Sequence, residues 1–218
     1  MMNTSNGFSL IEMAVVLLII GLLMGGLLSP LSTSLTHQKI KLTEQRLEEI
    51  KEALLGFAII NERLPCPAPD KNITTSDIPD QIGIALKEDH SDCNKEGYLP
   101  WADLGVGRYD AWGNPFRYRV EDEYITTTTI VVPIPSSGLR VKNRQEHYLT
   151  NKSDDSRVVA IIFSSGQNGQ PEADNQNGNK LYIQDGYIEN QFDDVLTWLS
   201  INTLTNRLVI AGKWPLNP

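Results

Sequence analysis

Two different hydrophobic patterns follow one another at the N-terminal end of the chain. Residues 8–28 read FSLIEMAVVLLIIGLLMGGLL, an unbroken apolar run with a single charged residue, Glu12. As a helix rising about 1.5 Å per residue, this run extends about 31 Å, and the hydrocarbon core of a bilayer is about 30 Å thick. A cleaved secretory signal has a shorter apolar region that ends in an A-x-A-like site. The pattern therefore predicts a transmembrane helix over residues 8–29.

After residue 30 the pattern becomes that of an amphipathic helix. Apolar residues recur at spacings of three, four and seven, and charged residues fill the positions between them. The apolar stripe consists of Ile40, Leu47, Ile50, Leu54 and Phe57. Two prolines in residues 64–67 end the pattern. We therefore expect one near-continuous helix whose second part, residues 30–61, packs against a globular head of residues 62–218.

Short β-prone runs separated by polar loops predict a sheet in the head. Strands are expected over residues 116–120, 125–135 and 157–164, and the last of these, RVVAIIFS, has the composition of a buried central strand. Residues 181–188 indicate a hairpin, and residues 195–212 fit either closing helical turns or a last strand. The expected fold class is α+β, a long N-terminal helix packed on a small antiparallel sheet.

The net charge and the two cysteines limit the classes of protein to which the chain can belong. The formal net charge of −8 argues against a nucleic-acid-binding protein and against a polybasic membrane-surface protein. The two cysteines, Cys66 and Cys93, lie in a segment rich in Pro, Asp, Asn and Ser. In an oxidising compartment they would form a disulfide, whereas in the cytosol they would remain free thiols.

Glu12 is a carboxylate within an apolar segment. Such a residue costs about 2.5–3.5 kcal/mol when it is central and unpaired, so it usually has a partner and a function. The alternative is that Glu12 lies at the membrane edge and only interacts favourably with the helix N-terminal dipole.

Residues 7–13, GFSLIEM, resemble the prepilin processing motif of the type IV pilin-like family, which includes the pseudopilins of type II secretion. The resemblance implies that residues 1–7 are a leader, that a prepilin peptidase cleaves between Gly7 and Phe8, and that the Phe8 amine is then methylated. It implies that Glu12 pairs with this amine on an adjacent subunit. The implied partners are other pilin subunits, and the implied location is the bacterial inner membrane with the head in the periplasm.

A second resemblance lies in residues 110–118, DAWGNPFRY, which are similar to the segment leading into the head sheet of the major pseudopilin. In that protein a serine-glycine loop and an aspartate-rich turn before a tryptophan together bind calcium. The resemblance implies a calcium site formed by Ser164, Asp193 and Asp194, since calcium prefers oxygen ligands. The alternative is ordinary loop polarity, with Asp193 capping a helix.

The predicted function is that of a structural subunit of a type IV pilus-like filament or a type II secretion pseudopilus. A membrane-anchored binding module or adhesin with a pilin-type leader is the alternative. We expect no enzymatic activity, because the three histidines are far apart and the sequence contains no zinc-protease, P-loop or nucleophile-elbow motif.

Overall fold

The computed structural model describes residues 9–69, 83–86, 93, 95–125, 138–150 and 157–213, without the side chains of residues 23–32. It divides the chain into two compact units, Met1–Lys39 and Ile40–Pro218. The first unit contains the N-terminal part of helix α1, Leu10–Asn61, and the second contains the rest of this helix and the head. The helix ends at Asn61, as the sequence pattern predicts, and Asn61 donates a side-chain hydrogen bond of 3.0 Å to the Phe57 carbonyl.

A four-stranded antiparallel sheet forms the centre of the head. Its strands are β1 (Gly97–Tyr98), β2 (Arg117–Val120), β4 (Val158–Ser164) and β6 (Val195–Ser200), in the order β1-β2-β4-β6. Every pair of neighbouring strands is antiparallel. The expected α+β class, a long N-terminal helix with a small antiparallel sheet, is therefore confirmed.

Strand β4 is buried along its whole length, because both faces of the sheet are covered. Ala160 and Ile162 belong to the core on one face, together with the apolar stripe of α1. Ile161 and Phe163 belong to a second core on the opposite face. The prediction of a buried central strand over residues 157–164 is confirmed.

The stripe of α1 is the largest helical contribution to the first core. Leu47, Ile50 and Leu54 are at most 2% exposed, and they cluster with Phe116 and Tyr118 at β2. Their spacing of three and four places them on one side of the helix. Helix α3, Ile201–Ile210, adds Leu204 and Leu208 to the same core.

The second core lies beneath a small parallel sheet. Strand β3 (Arg140–Lys142) pairs in parallel with β5 (Leu181–Ile183). The hairpin predicted over residues 181–188 is therefore wrong, because β5 takes its partner from about forty residues earlier in the chain rather than from the residues that follow it. The remaining short elements are helix α2 (Trp101–Leu104) and the 3-10 turns Asp122–Tyr124 and Ala173–Gln176.

The segment at residues 195–212 contains both of the elements that the sequence left open. Strand β6 comes first along the chain and helix α3 follows it directly. Ser200 caps α3 by accepting a 3.3 Å hydrogen bond from the Thr203 amide. The predicted strand at residues 125–135 falls outside the described residues from position 126 onward.

Cys66 and Cys93 form a disulfide with Cα atoms 5.0 Å apart and a sequence separation of 27. Cys66 is 0% exposed and Cys93 is 4% exposed, and both belong to the first core. In the chain-entropy model, closing a loop of about this length stabilises the fold by about 3–4 kcal/mol. The bridge therefore joins two positions of the first core that are distant in sequence.

Truncation of the α1 stripe tests the importance of this packing. We expect Leu54→Ala to lower the free energy of unfolding by about 2–5 kcal/mol, because Leu54 is fully buried. Leu42→Ala is the matched control, because Leu42 lies on the same helix but is 42% exposed. Thermal or chemical unfolding of the full chain in detergent measures both, and equal losses in the two variants would show that the stripe does not hold the head.

Candidate functional site

The N-terminal candidate residues lie at the start of α1. Glu12 is in the first helical turn, and its side chain is exposed. Its carboxylate accepts a 3.4 Å hydrogen bond from the Ser9 amide, which is the position where negative charge interacts favourably with the helix dipole. Gly7 and Phe8, the predicted processing site, lie outside the described residues.

The helix that follows Glu12 is apolar and exposed. From Leu10 to Leu22 every large apolar side chain is at least 44% exposed. Soluble monomeric proteins rarely expose contiguous apolar surfaces of this kind, and such surfaces mark contacts with membranes or other proteins. The N-terminal part of α1 therefore leaves its apolar side chains available for partners outside its own chain.

Across the described residues, no helix is both long enough and apolar enough to cross a membrane. The transmembrane segment predicted over residues 8–29 also includes Phe8 and the side chains of residues 23–29, which lie outside the described part of the chain.

A second candidate site is a cluster of three carboxylates in the head. Oxygen atoms of Glu172, Asp193 and Asp194 lie within 4.8 Å of one another. The two aspartates directly precede β6, and Glu172 belongs to the loop between β4 and β5. Asp193 is 8% exposed and Asp194 is 4% exposed, so the cluster places negative charge in the interior of the head.

Contacts of Arg119 and Lys180 hold the end of the loop that contains Glu172 against the sheet. Arg119 on β2 donates to the carbonyls of Gly178 and Asn179, at 2.5 and 2.9 Å. Lys180 forms a 2.6 Å ion pair with Glu121, which is 2% exposed. These contacts hold residues 178–180 of the loop, whereas Glu172 itself is held by hydrogen bonds with Asp193 and Asp194.

Hydrogen bonds within the cluster orient the carboxylates. Glu172 Oε2 accepts from the amides of Asp193 and Asp194, at 3.1 and 3.2 Å. Asp194 Oδ2 accepts from the Glu172 amide at 2.8 Å and from Asn175 Nδ2 at 2.9 Å. Asp193 Oδ2 accepts from the Asn168 amide at 2.8 Å. The second oxygen of each aspartate, Oδ1, is buried without a hydrogen-bond partner.

Burial raises the pKa of both aspartates. The pKa of Asp193 rises to about 6, mainly through burial and with a contribution from Glu172. The pKa of Asp194 rises to about 7, again mainly through burial, and the charges of Glu172 and Asp193 add to the effect. Since the ionised form is disfavoured in this environment, a cationic partner would lower both pKa values.

The arrangement differs from the ligand set that the sequence predicts. The Ser164 hydroxyl is not part of the cluster, because it donates a 2.5 Å hydrogen bond to Asp110. Asp193 does not cap a helix, since β6 follows it. Glu172 was missed, because it lies about twenty residues before the aspartates in a polar loop and only the tertiary fold brings it to them.

The negative charge of the carboxylate cluster would attract a cation, but the cluster has too few free oxygen atoms to coordinate calcium. Calcium takes six to eight oxygen atoms, whereas the two Oδ1 atoms are the carboxylate oxygens of Asp193 and Asp194 that lack hydrogen bonds. The calcium assignment therefore stays a prediction, and the predicted set of Ser164, Asp193 and Asp194 does not come together as one group.

Comparison with known proteins identifies the N-terminal segment. Residues 2–28 match the family model described as the prokaryotic N-terminal methylation motif. The chain carries a prepilin-type signal. This is the signal of pilins and pseudopilins, and it indicates a type IV pilin-like or pseudopilin precursor. No curated protein and no solved structure matches this prepilin-like chain.

The raised pKa values predict an unusual pH dependence of stability. A carboxyl whose pKa is higher in the folded state than its unfolded value of about 4 stabilises the fold at low pH, and this stabilisation is lost as the pH rises through the folded pKa of about 6–7. We therefore expect Asp194→Asn to raise the melting temperature at pH 8, by about 2–4 °C for each kcal/mol of relieved charge burial, and to flatten the dependence between pH 5 and pH 8.

Asp185→Asn is the matched control for this measurement. Hydrogen bonds from the Gly186 and Arg144 amides lower the pKa of Asp185, so its charge stabilises the fold at neutral pH and this contribution is lost as the pH falls. The control should therefore lower the melting temperature at pH 8. A melting temperature that changes in the same direction in both variants would contradict the assignment of buried, destabilising charge to Asp194.

A glycine comparison tests how tightly the loop packs on the cluster. Gly166 has a φ of +55°, and a Cβ there would lie 2.2 Å from the Asp193 carbonyl oxygen. Gly178 has a similar φ of +61°, but a Cβ there would meet no atom within 4 Å. We expect Gly178→Ala to cost about 1–2 kcal/mol from the left-handed backbone alone. Gly166→Ala should cost more, and equal costs in unfolding experiments would show that the loop can move away from Asp193.

Proposed function

We propose that this chain is a structural subunit of a type IV pilus-like or type II secretion pseudopilus filament. In this proposal prepilin peptidase cleaves between Gly7 and Phe8, and the processed chain assembles through the N-terminal part of α1. The observation that carries the proposal is the continuous exposed apolar surface from Leu10 to Leu22, which directly follows the start of a prepilin-type signal.

The two parts of α1 support different contacts in this proposal. From Leu47 onward the helix buries its stripe in its own head, so that this part is not available to other subunits. The apolar side chains before Leu22 have no such core in the described structure. In a membrane they would contact lipid, and in a filament they would pack against the equivalent helices of neighbouring subunits, through close van der Waals contact rather than a hydrophobic driving force.

Glu12 supplies the specific contact in the proposed filament. Cleavage after Gly7 would create a new amine at Phe8, and this cation would lie in the same apolar layer as the exposed Glu12 carboxylate. An unpaired charge in such a layer is costly. Pairing the amine of one subunit with Glu12 of the next would remove both unpaired charges and fix the axial step between subunits.

The disulfide supports an extracytoplasmic location of the head. Structural disulfides form and persist in oxidising compartments such as the bacterial periplasm, and Cys66 and Cys93 are joined within the core of the head. We therefore place the head in the periplasm and the N-terminal helix in the inner membrane before assembly. In this role the chain acts by packing, and we propose no enzymatic reaction for it.

Neutralising Glu12 tests the proposal. In a bacterium with an active pilus or pseudopilus machinery, Glu12→Gln should insert into the membrane like the wild type. The amount of sheared filament should fall by about tenfold or more, since a tenfold change corresponds to about 1.4 kcal/mol of lost pairing. Immunoblots of membrane and sheared fractions measure the two quantities.

Glu12→Asp is the control, because it keeps the charge and shortens the side chain by one methylene group. It should retain more filament than Glu12→Gln does. Mass spectrometry of the extracted protein should find a chain that starts at N-methylated Phe8. Normal filaments from Glu12→Gln, or a native chain that keeps residues 1–7, would overturn the proposed function in favour of a simple membrane-anchored module.

A further inference from the structure

A groove of about 260 Å³ lies between α1 and the segments around β6. Its wall on α1 includes Glu44 and Leu47, and residues 184–187 and 193–197 form the opposite side. Within the described residues, β6 pairs with β4 alone, so its other edge borders this groove. The groove is open enough to admit a side chain from another molecule.

The lining of the groove is strongly acidic. It contains the carboxylates of Glu44, Glu48, Asp185, Asp193 and Asp194, and none of the described residues that line it is a lysine or an arginine. Asp193 and Asp194 also line the groove and are more than nine-tenths buried. Each has one carboxylate oxygen that makes no hydrogen bond. Both oxygens are enclosed by the protein, so the negative charge within reach of a partner is that of the exposed Glu44 and Glu48 and the half-buried Asp185.

A second cavity, of about 300 Å³, lies on the other side of the same helix. Arg46 and Arg108 line it together with Tyr109. Arg46 donates a 2.9 Å hydrogen bond to the Tyr109 carbonyl, and the Arg108 guanidinium stacks 4.9 Å from the centre of the Tyr109 ring. Glu49 is also present, so the charge of this arginine notch is positive by one unit. Each arginine has five N–H donors, which leaves donors free for a partner.

The acidic groove and the arginine notch lie on opposite flanks of α1. Glu44 and Arg46 are two positions apart, which at about 100° per residue places their side chains about 200° apart around the helix axis. The buried stripe of Leu47 and Ile50 faces the head between them. A single copy therefore presents an acidic surface on one flank and a basic surface on the other.

We propose that the acidic groove of one copy receives the arginine notch of a second copy, an inference that rests on the proposed function as a filament subunit. The planar guanidinium group matches a carboxylate with two parallel donors, and Glu44, Glu48 and Asp185 present such carboxylates along the groove. The contact joins two different surfaces, so it is heterologous and repeats in one direction along an open assembly.

Photo-crosslinking between full-length copies in membranes tests the contact directly. A benzophenone amino acid in place of Tyr109, which is 45% exposed, should form a covalent adduct with a second copy. Mass spectrometry should map this adduct to the part of α1 around Glu44 or to residues 184–187. Adducts that map elsewhere, or that join the probe only to a different protein, would overturn the proposal.

Charge reversal distinguishes pairing from simple proximity. Glu44→Arg and Arg108→Glu should each reduce the adduct by about tenfold, and the variant that carries both changes should recover it. Arg207→Glu is the matched control. It makes the same charge change on α3, removes only an exposed ion pair with Glu52, and should leave the adduct unchanged. Resistance of the head to trypsin shows that each variant is folded.

The remaining outcomes separate this inference from the proposed function. Normal filaments with unaffected adducts in both single variants would reject the groove contact and leave the filament role standing. A charge-dependent adduct without any filament would reject the filament role and retain the contact. A melting shift of the wild-type chain with micromolar calcium that is absent in Asp194→Asn, together with loss of the adduct on calcium addition, would show that a metal ion rather than a second copy completes the groove.

Discussion

The packing of the α1 stripe against the central sheet is the interaction on which the rest of the structure depends. Leu47, Ile50 and Leu54 form one apolar core with β2 and β4, and the disulfide-bonded cysteines belong to the same core. This contact makes the second part of α1 an integral element of the head. A force or a displacement applied to this part of the helix is therefore transmitted to the sheet through side-chain packing rather than through a flexible linker.

Because one end of α1 is used for this core, the chain separates two kinds of apolar surface along a single helix. The stripe from Leu47 onward is buried in the core of the head, whereas the apolar side chains from Leu10 to Leu22 are exposed. Glu12 lies within the exposed part, in the first turn of the helix, where its carboxylate accepts a hydrogen bond from the Ser9 amide. The prepilin-type signal matches residues 2–28, so it includes the whole of this exposed apolar surface.

The head contains two buried carboxyl groups, each with one oxygen that makes no hydrogen bond. Asp193 and Asp194 are buried just before β6, and Glu172 is held beside them by hydrogen bonds from their backbone amides. Burial disfavours the ionised form of both aspartates and raises their pKa values. Buried carboxylates whose oxygens lack hydrogen bonds are destabilising when they are ionised, so the charges of Asp193 and Asp194 do not contribute to the stability of the fold at neutral pH.

The sequence by itself determined the features that depend on local order along the chain. Hydrophobic periodicity, composition and prolines act within a few residues. They predicted the end of α1 at Asn61, a strand over residues 116–120 that the structure shows as β2, and the buried strand β4. The prepilin-type signal is likewise a contiguous motif, so it needs no fold to be visible. Asp193 and Asp194 were singled out only by the resemblance of their acidic turn to that of the major pseudopilin.

Only the tertiary structure decided which distant residues meet. It paired β5 with β3 instead of with its own neighbours, turned Ser164 toward Asp110, and brought Glu172 to the two aspartates. It also placed the acidic groove and the arginine notch on opposite flanks of α1. These relations could not be predicted, because strand partners and loop positions depend on the mutual packing of segments that are far apart in the chain, and no local pattern of side chains encodes that packing.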